Sequence, residues 1–111
     1  MRAKKIDSNQ PTIVKQLRAL HISVRVTSMV GEGFVDLVLG FRSKNFLIEL
    51  KDPSKPPSKR RLTQDEQDFF DGWRGQASVC ESLQEILEVI GFNTVDKRID
   101  TVTVDNSQGN Y

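Results

Sequence analysis

Two acids stand in strand-like apolar runs that have no packing use for a charge. Asp36 falls in the run VDLVLG and Glu49 in FLIELK, within residues 35–51. Successive side chains on a strand point to opposite faces, so Asp36 and Val38 share one face and Val35, Leu37 and Leu39 the other. Asn45, Leu47, Glu49 and Lys51 likewise lie together, with Phe46, Ile48 and Leu50 behind them. A turn in residues 41–44 with an even number of residues pairs Gly40 with Asn45 and sets Asp36 directly opposite Glu49. Directly opposed side chains have Cβ atoms roughly 4.5 to 5.5 Å apart, at which two bare carboxylates repel. Something positive is then required between them. The Lys51 ammonium, two residues along on the Glu49 face, meets that need, and so does a divalent cation, which favours carboxylate and carbonyl oxygens.

The elements that must position these groups come from a chain of 111 residues, enough for one core and one domain. The net charge of +1 gives no general attraction for nucleic acid, so any basic footprint is local. It is found in residues 51–61, where Lys51, Lys55, Lys59, Arg60 and Arg61 face a single acid, Asp52. One cysteine, Cys80, excludes an internal disulfide framework and a cysteine zinc cluster, and suits a reducing compartment as an inert buried thiol. No apolar run approaches the ~18 residues of a membrane span, and the polar start MRAKKIDSNQ lacks a signal-peptide core. The expectation is a soluble, cytoplasmic protein that touches no membrane.

In chain order, residues 1–8 read as a flexible basic arm leading into a helix that starts near Gln10-Pro11, proline being suited to a first turn. Ile13, Val14, Leu17 and Leu20 recur at helical spacing, and Gln10 stands on the same stripe, aimed inward. His21 ends that helix and has a structural reading. A first strand is expected over residues 23–27 and a glycine-containing loop over 29–33. After the acidic hairpin, three prolines in KDPSKPPSKRR predict a stiff basic loop without regular structure. Thr63 and Glu66 match a capping box, opening a helix with Phe69, Phe70 and Trp73 on its apolar, core-facing side and Gly75 as its C-terminal cap. A short buried strand over 76–80 follows. Ser82 with Glu85 repeats the capping pattern, Leu83, Ile86, Leu87 and Ile90 give a last helical stripe, and Gly91 stops it. Beyond it, residues 92–111 form an extension with at most one weak strand at Ile99, Val102 and Val104. The order helix, strand, strand, strand, helix, strand, helix gives a mixed α/β class, with a right-handed crossover placing the fourth strand parallel to a neighbour.

Asp36 followed by Glu49-Leu50-Lys51 on the next strand resembles the signature of the PD-(D/E)XK nuclease superfamily, and the element order is similar to its restriction-endonuclease-like core. A narrower resemblance is to the VRR-NUC family, the virus-type replication-repair nucleases. It is carried by Gly33-Phe34-Val35-Asp36-Leu37, Glu49-Leu50-Lys51, the SKPPSKRRLT loop and Glu66-Gln67, and covers a domain of residues 9–91. The chain departs from that pattern at Val35, where the family has proline, and at Gln10, where many members carry glutamate. The valine leaves the acid in place. Gln10 matters more, because glutamine is a neutral and weaker metal ligand.

The resemblance implies a Mg²⁺- or Mn²⁺-dependent endodeoxyribonuclease with no small-molecule cofactor. Its ligands would be Asp36, Glu49, the Leu50 backbone carbonyl and Gln10. Lys51 would orient the attacking water and offset charge on the phosphate, with Gln67 or Glu66 hydrogen-bonding the lysine or a water, and Lys55, Lys59, Arg60 and Arg61 would hold the DNA backbone. Stand-alone relatives, viral or bacterial, resemble Holliday-junction resolvases, which implies branched DNA as substrate in repair, recombination or replication and a homodimer with paired cuts. Two other readings use the same residues: a nuclease fold that binds DNA without cutting, and a protein-interaction subunit docking through the aromatic helix.

Overall fold

The structure, a computed structural model, describes residues 6–93. The elements run α1 (Gln10–Ala19), β1 (Ser23–Val26), β2 (Leu37–Phe41), β3 (Lys44–Leu50), α2 (Pro57–Arg60), α3 (Gln64–Gly72), β4 (Ser78–Cys80) and α4 (Leu83–Ile90). One mixed sheet has the order β1-β2-β3-β4. Its first three strands are antiparallel, and β4 runs parallel to β3 as the crossover requires. The class is therefore the expected mixed α/β, with a four-stranded sheet flanked by helices. The basic arm of residues 1–5 and the weak strand at Ile99, Val102 and Val104 lie outside the described residues.

The hairpin register follows from its turn. Phe41 pairs with Lys44 and Gly40 with Asn45, leaving Arg42-Ser43 as a two-residue loop. Both loop residues have positive φ, 52° and 66°. That is the geometry that matches strand twist, although it favours Asn or Gly over the residues present. Parity then sends Val24, Leu37, Leu39, Ile48 and Leu50 to one face, where they join Ile13, Val14 and Leu17 of α1 and Ile86, Leu87 and Ile90 of α4 in a single core. Burial of that apolar layer is the main favourable term in folding.

Helix ends are set by local chemistry. His21 closes α1 in the left-handed region at φ 64°, its amide bonding Arg18 O while the Ile22 amide bonds Leu17 O, the paired pattern of a Schellman end. Gly91 does the same for α4 at φ 81°. Ser82 accepts from the Glu85 amide as expected, but Glu85 returns its carboxylate to the Glu81 amide, so only half of the second capping box forms.

Three expectations need correction. The proline-rich segment is not wholly irregular: Pro57 opens the one-turn helix α2, since a proline lacking an N–H is at home in a first turn. α3 stops at Gly72 with Trp73 rather than Gly75 at its C-terminal end. Its aromatics are not core: Glu66 is the buried residue of α3, while Trp73 is 44% exposed. Phe69 stacks on Trp73 at 4.9 Å and meets Phe34 edge-on at 5.4 Å, so these rings form a surface cluster beside the sheet. β4 is also shorter than expected, because the Gln76 side chain occupies the Leu47 amide and carbonyl that a longer strand would pair.

Gly33 fixes how α3 meets the segment that leads into β2. At φ 76°, a Cβ there would lie 2.1 Å from the Asp65 carbonyl oxygen. Gly33→Ala is expected to destabilise the fold by at least ~1–2 kcal/mol from backbone strain alone, with more from the overlap. Urea unfolding of the two proteins measures the difference in midpoint.

Candidate functional site

The acids converge where the hairpin leaves the sheet. The β2–β3 ladder ends at Leu37 opposite Ile48, one residue short of the expected Asp36–Glu49 pair. Asp36 bends inward instead, and its Oδ2 accepts the Leu50 amide at 2.8 Å. Its side chain thus stands in for a missing strand carbonyl. The N–H and C=O of one strand residue face the same neighbour, so the Leu50 carbonyl is turned toward Asp36 as well. Asp36 is 4% exposed and Glu49 1%.

Lys51 neutralises part of this charge. Its Nζ lies 2.9 Å from Glu66 Oε1 and 3.4 Å from Glu49 Oε2. Glu66 Oε1 also accepts the Thr63 amide at 2.9 Å, so the atom that completes the α3 capping box also anchors the lysine. Burial works to lower the Lys51 pKa, but the hydrogen bond and charge of Glu66, helped by Glu49, raise it above the usual lysine value. Lys51 is therefore an ammonium at neutral pH. Burial works to raise Glu66, and the hydrogen bonds from the Thr63 amide and the Lys51 ammonium overcome it, holding the carboxyl at about 2.

A second chain of contacts reaches Asp36 from α1. Gln10 Nε2 donates to Ser28 Oγ at 3.4 Å, and Ser28 Oγ donates to Asp36 Oδ1 at 3.3 Å. Gln10 is 3% exposed and Ser28 fully buried. Gln10 Oε1 is buried with no hydrogen-bond partner. An orphaned buried acceptor costs about 1–3 kcal/mol, which a cation or an internal donor would relieve.

The remaining site residues divide. Gln67 does not join the cluster: it is exposed and its Nε2 bonds Asp71 Oδ1 at 2.8 Å, one turn along α3, so Glu66 holds the place expected for either of them. Of the basic segment, Lys59 and Arg61 are exposed. Lys55 pairs with Asp7 at 3.5 Å and Arg60 with Glu81 at 3.4 Å, at least partly satisfied within the protein. Cys80 is buried, and desolvation, with Glu85 nearby, pushes its thiol up to about 12, as an inert thiol requires.

Two further residues hold the surroundings of the site. Ser28 bridges α1 to Asp36. Asp52 accepts from Ser54 N at 2.9 Å, Ser54 Oγ at 2.7 Å and Ser8 Oγ at 2.8 Å, folding the basic loop back on the α1 approach; the Ser54 hydroxyl and amide and the Ser8 hydroxyl hold its carboxyl below the usual range. The D-P-S spacing is a turn signal that could have flagged it.

Among the described residues, no three His, Cys, Asp or Glu side chains form a group that could hold a metal ion. The buried oxygens at this end of the sheet are the Asp36 and Glu49 carboxylates with the Gln10 amide and the Leu50 carbonyl, hard donors of the kind Mg²⁺ and Mn²⁺ accept. No protein-family model, no curated protein and no solved structure matches the chain.

Because the folded-state Glu66 pKa lies below its ordinary 4.5, its stabilising contribution is present above that value and is lost as pH falls toward about 2. Glu66→Gln is expected to flatten the acid side of the stability profile between those limits, measured by urea unfolding in EDTA. Gln10→Met, of similar volume, removes the orphaned oxygen. It is expected to change metal-free stability by less than about 1 kcal/mol while weakening Mn²⁺ binding by calorimetry.

Proposed function

We propose that this chain is a divalent-metal-dependent DNA endonuclease of the VRR-NUC type, built on a PD-(D/E)XK-like core and acting on branched DNA as a homodimer. The observation that carries the reading is the burial of Asp36 and Glu49 at adjacent strand ends, with Asp36 bonded to the Leu50 amide next to Glu49 and Lys51 tied to both Glu49 and Glu66. Two buried carboxylates so placed are oxygens of the kind a divalent cation takes. The orphaned Gln10 oxygen supports the same conclusion.

Bound Mg²⁺ or Mn²⁺ supplies Lewis-acid polarisation of a phosphoryl oxygen and lowers the pKa of a water. The protein's own groups do the rest. Asp36 and Glu49 would hold the ion, with the Leu50 carbonyl and Gln10 as neutral donors. Lys51, held in place by Glu66, would orient the attacking water, donate to the phosphate and offset the charge that grows there during attack. Glu66 is a positioning residue, since it acts through Lys51. Lys59 and Arg61 project toward solvent from the segment that follows Lys51, where they would meet DNA phosphates.

One observation favours a second reading, a nuclease fold that binds DNA without cutting: the amide at Gln10 brings no charge to the ion. Cleavage of labelled linear, nicked, flap and four-way DNA, with and without Mg²⁺ or Mn²⁺, separates the two. The nuclease reading expects metal-dependent cutting that Asp36→Asn and Lys51→Ala each reduce by at least ~10². Full activity in both variants removes the site assignment, and binding without any cutting by the wild type selects the second reading.

A further inference from the structure

A second basic surface, outside the residues assigned so far, lies at the far end of the same hairpin. Two adjoining open depressions there share His21, Ser23, Gly40 and Asn45. Arg18 and Arg25 line one and Arg42 and Lys44 the other, and among the described residues neither lining contains an acid. In a chain with 15 acids and 16 basic residues, that segregation makes a strongly positive patch.

The floor of the patch is built by the register. Ser23 pairs with Gly40 and Gly40 with Asn45, so two short polar side chains flank a position with no side chain. A Cβ at Gly40 would sit 3.4 Å from Ser23 Cβ and 3.8 Å from Asn45 Oδ1, enough to fill the gap. Two of the guanidiniums are already held: Arg18 Nη2 donates to the Val24 carbonyl at 2.9 Å, and Arg42 lies 5.1 Å above the Phe41 ring. Arg42 also occupies a positive-φ turn position that Asn or Gly fits better. Strain of that kind persists where a side chain is needed.

Strand parity ties this patch to the acids. Arg25 pairs with Val38 and Val38 with Leu47, the next row on the same face. Asn45, Leu47 and Glu49 alternate with buried Ile48 and Leu50, so they share the face opposite the α1–α4 core. That face is exposed at Arg25, Asn45 and Val79, half-buried at Val38 and Leu47, and closed at Glu49, which is 1% exposed. From Asn45 to Glu49 is four residues, roughly 13 Å at ~3.3 Å each, with the Arg25 row halfway along.

We propose that a nucleic-acid backbone runs along the exposed part of this sheet face, with Arg25, Arg42 and Lys44 gripping the strand on the hairpin-tip side of the phosphate that meets Asp36 and Glu49. The placement relative to a scissile bond rests on the nuclease reading; the phosphate grip does not. Its two ends are basic, the hairpin tip at one and the segment of residues 55–61 at the other, with the acids between them.

The test measures binding of fluorescent duplex and four-way DNA in EDTA across a salt series, for wild type, Arg25→Ala, the double variant Arg42→Asn with Ser43→Gly, and Asp36→Asn. Each groove variant is expected to bind about tenfold or more weakly at low salt, with the slope of log affinity against log salt reduced by ~0.9 per lost contact. The turn variant is expected to unfold at higher urea concentration than wild type, so its weaker binding would not be a folding defect. Neutral methylphosphonates placed one at a time at successive phosphates from the cut are expected to reveal one whose neutralisation weakens wild-type binding but leaves Arg25→Ala unaffected. Wild-type binding and cleavage that both groove variants retain would overturn the groove and leave the nuclease standing. Groove-dependent binding without cleavage in Mg²⁺ or Mn²⁺ would support the groove and sink the nuclease. Absence of wild-type binding, or displacement by a nucleoside triphosphate as readily as by the oligonucleotide, would overturn the groove.

Discussion

Taking a carboxylate out of water costs several kcal/mol unless charge and hydrogen bonds replace its hydration, and among its described residues this small fold buries four of them, Asp36, Glu49, Asp52 and Glu66. The ammonium of Lys51 makes that possible for two. Standing 2.9 Å from Glu66 and 3.4 Å from Glu49, it joins β3 to the first turn of α3. Gly33 lets the preceding loop press against the Asp65 carbonyl at the same helix start, and Thr63 closes the cap on Glu66. The geometry of α3 is thus set from its charged end, and its aromatics are left free to sit at the surface.

Asp36 is handled differently, with neutral donors. The Leu50 amide and the Ser28 hydroxyl both donate to it, and the Ser28–Gln10 link carries the network into α1. Gln10 ends that chain with an oxygen that nothing in the protein answers. Polar networks in a low-dielectric interior are costly when incomplete, so the unanswered atom is the natural point for a ligand to complete the arrangement. A glutamate there would instead add another buried negative charge in the metal-free protein.

Much of this was legible before any coordinates. Parity along two strands put Glu49 and Lys51 together, and the Gly40–Asn45 register followed from the even turn, although the ladder ends before Asp36 can pair with Glu49. Capping at Thr63 and Glu66 and the stop at Gly91 were equally visible, because each depends on residues three or four apart. What could not be read depends on contacts between distant segments. Ser28 lies in a stretch with no period, Asp52 matters through Ser8 across 44 residues, and α3 carries an amphipathic pattern whose buried partner is a charge rather than a core. Its apolar stripe suggested burial, but the α1–α4 layer already fills the other side of the sheet.

That allocation of faces has a functional consequence. With four strands and both long apolar helices on one side, the opposite face is left to short polar and basic side chains, Ser23, Arg25 and Asn45, with Gly40 as a gap among them. A sheet exposed on one face usually carries alternating charges that keep it soluble. Here the lining of the hairpin-tip depressions carries positive groups alone, while the acids of α3 lie on its solvent side at Asp65, Asp68 and Asp71. A near-neutral chain has separated its charges, so its net charge of +1 conceals two fields of opposite sign. Long-range steering depends on the local field, which falls off over a Debye length of ~8 Å at physiological salt. A polyanion meeting this molecule would therefore be drawn to the sheet face that carries Arg25 and away from the outer side of α3, whatever chemistry follows at Asp36.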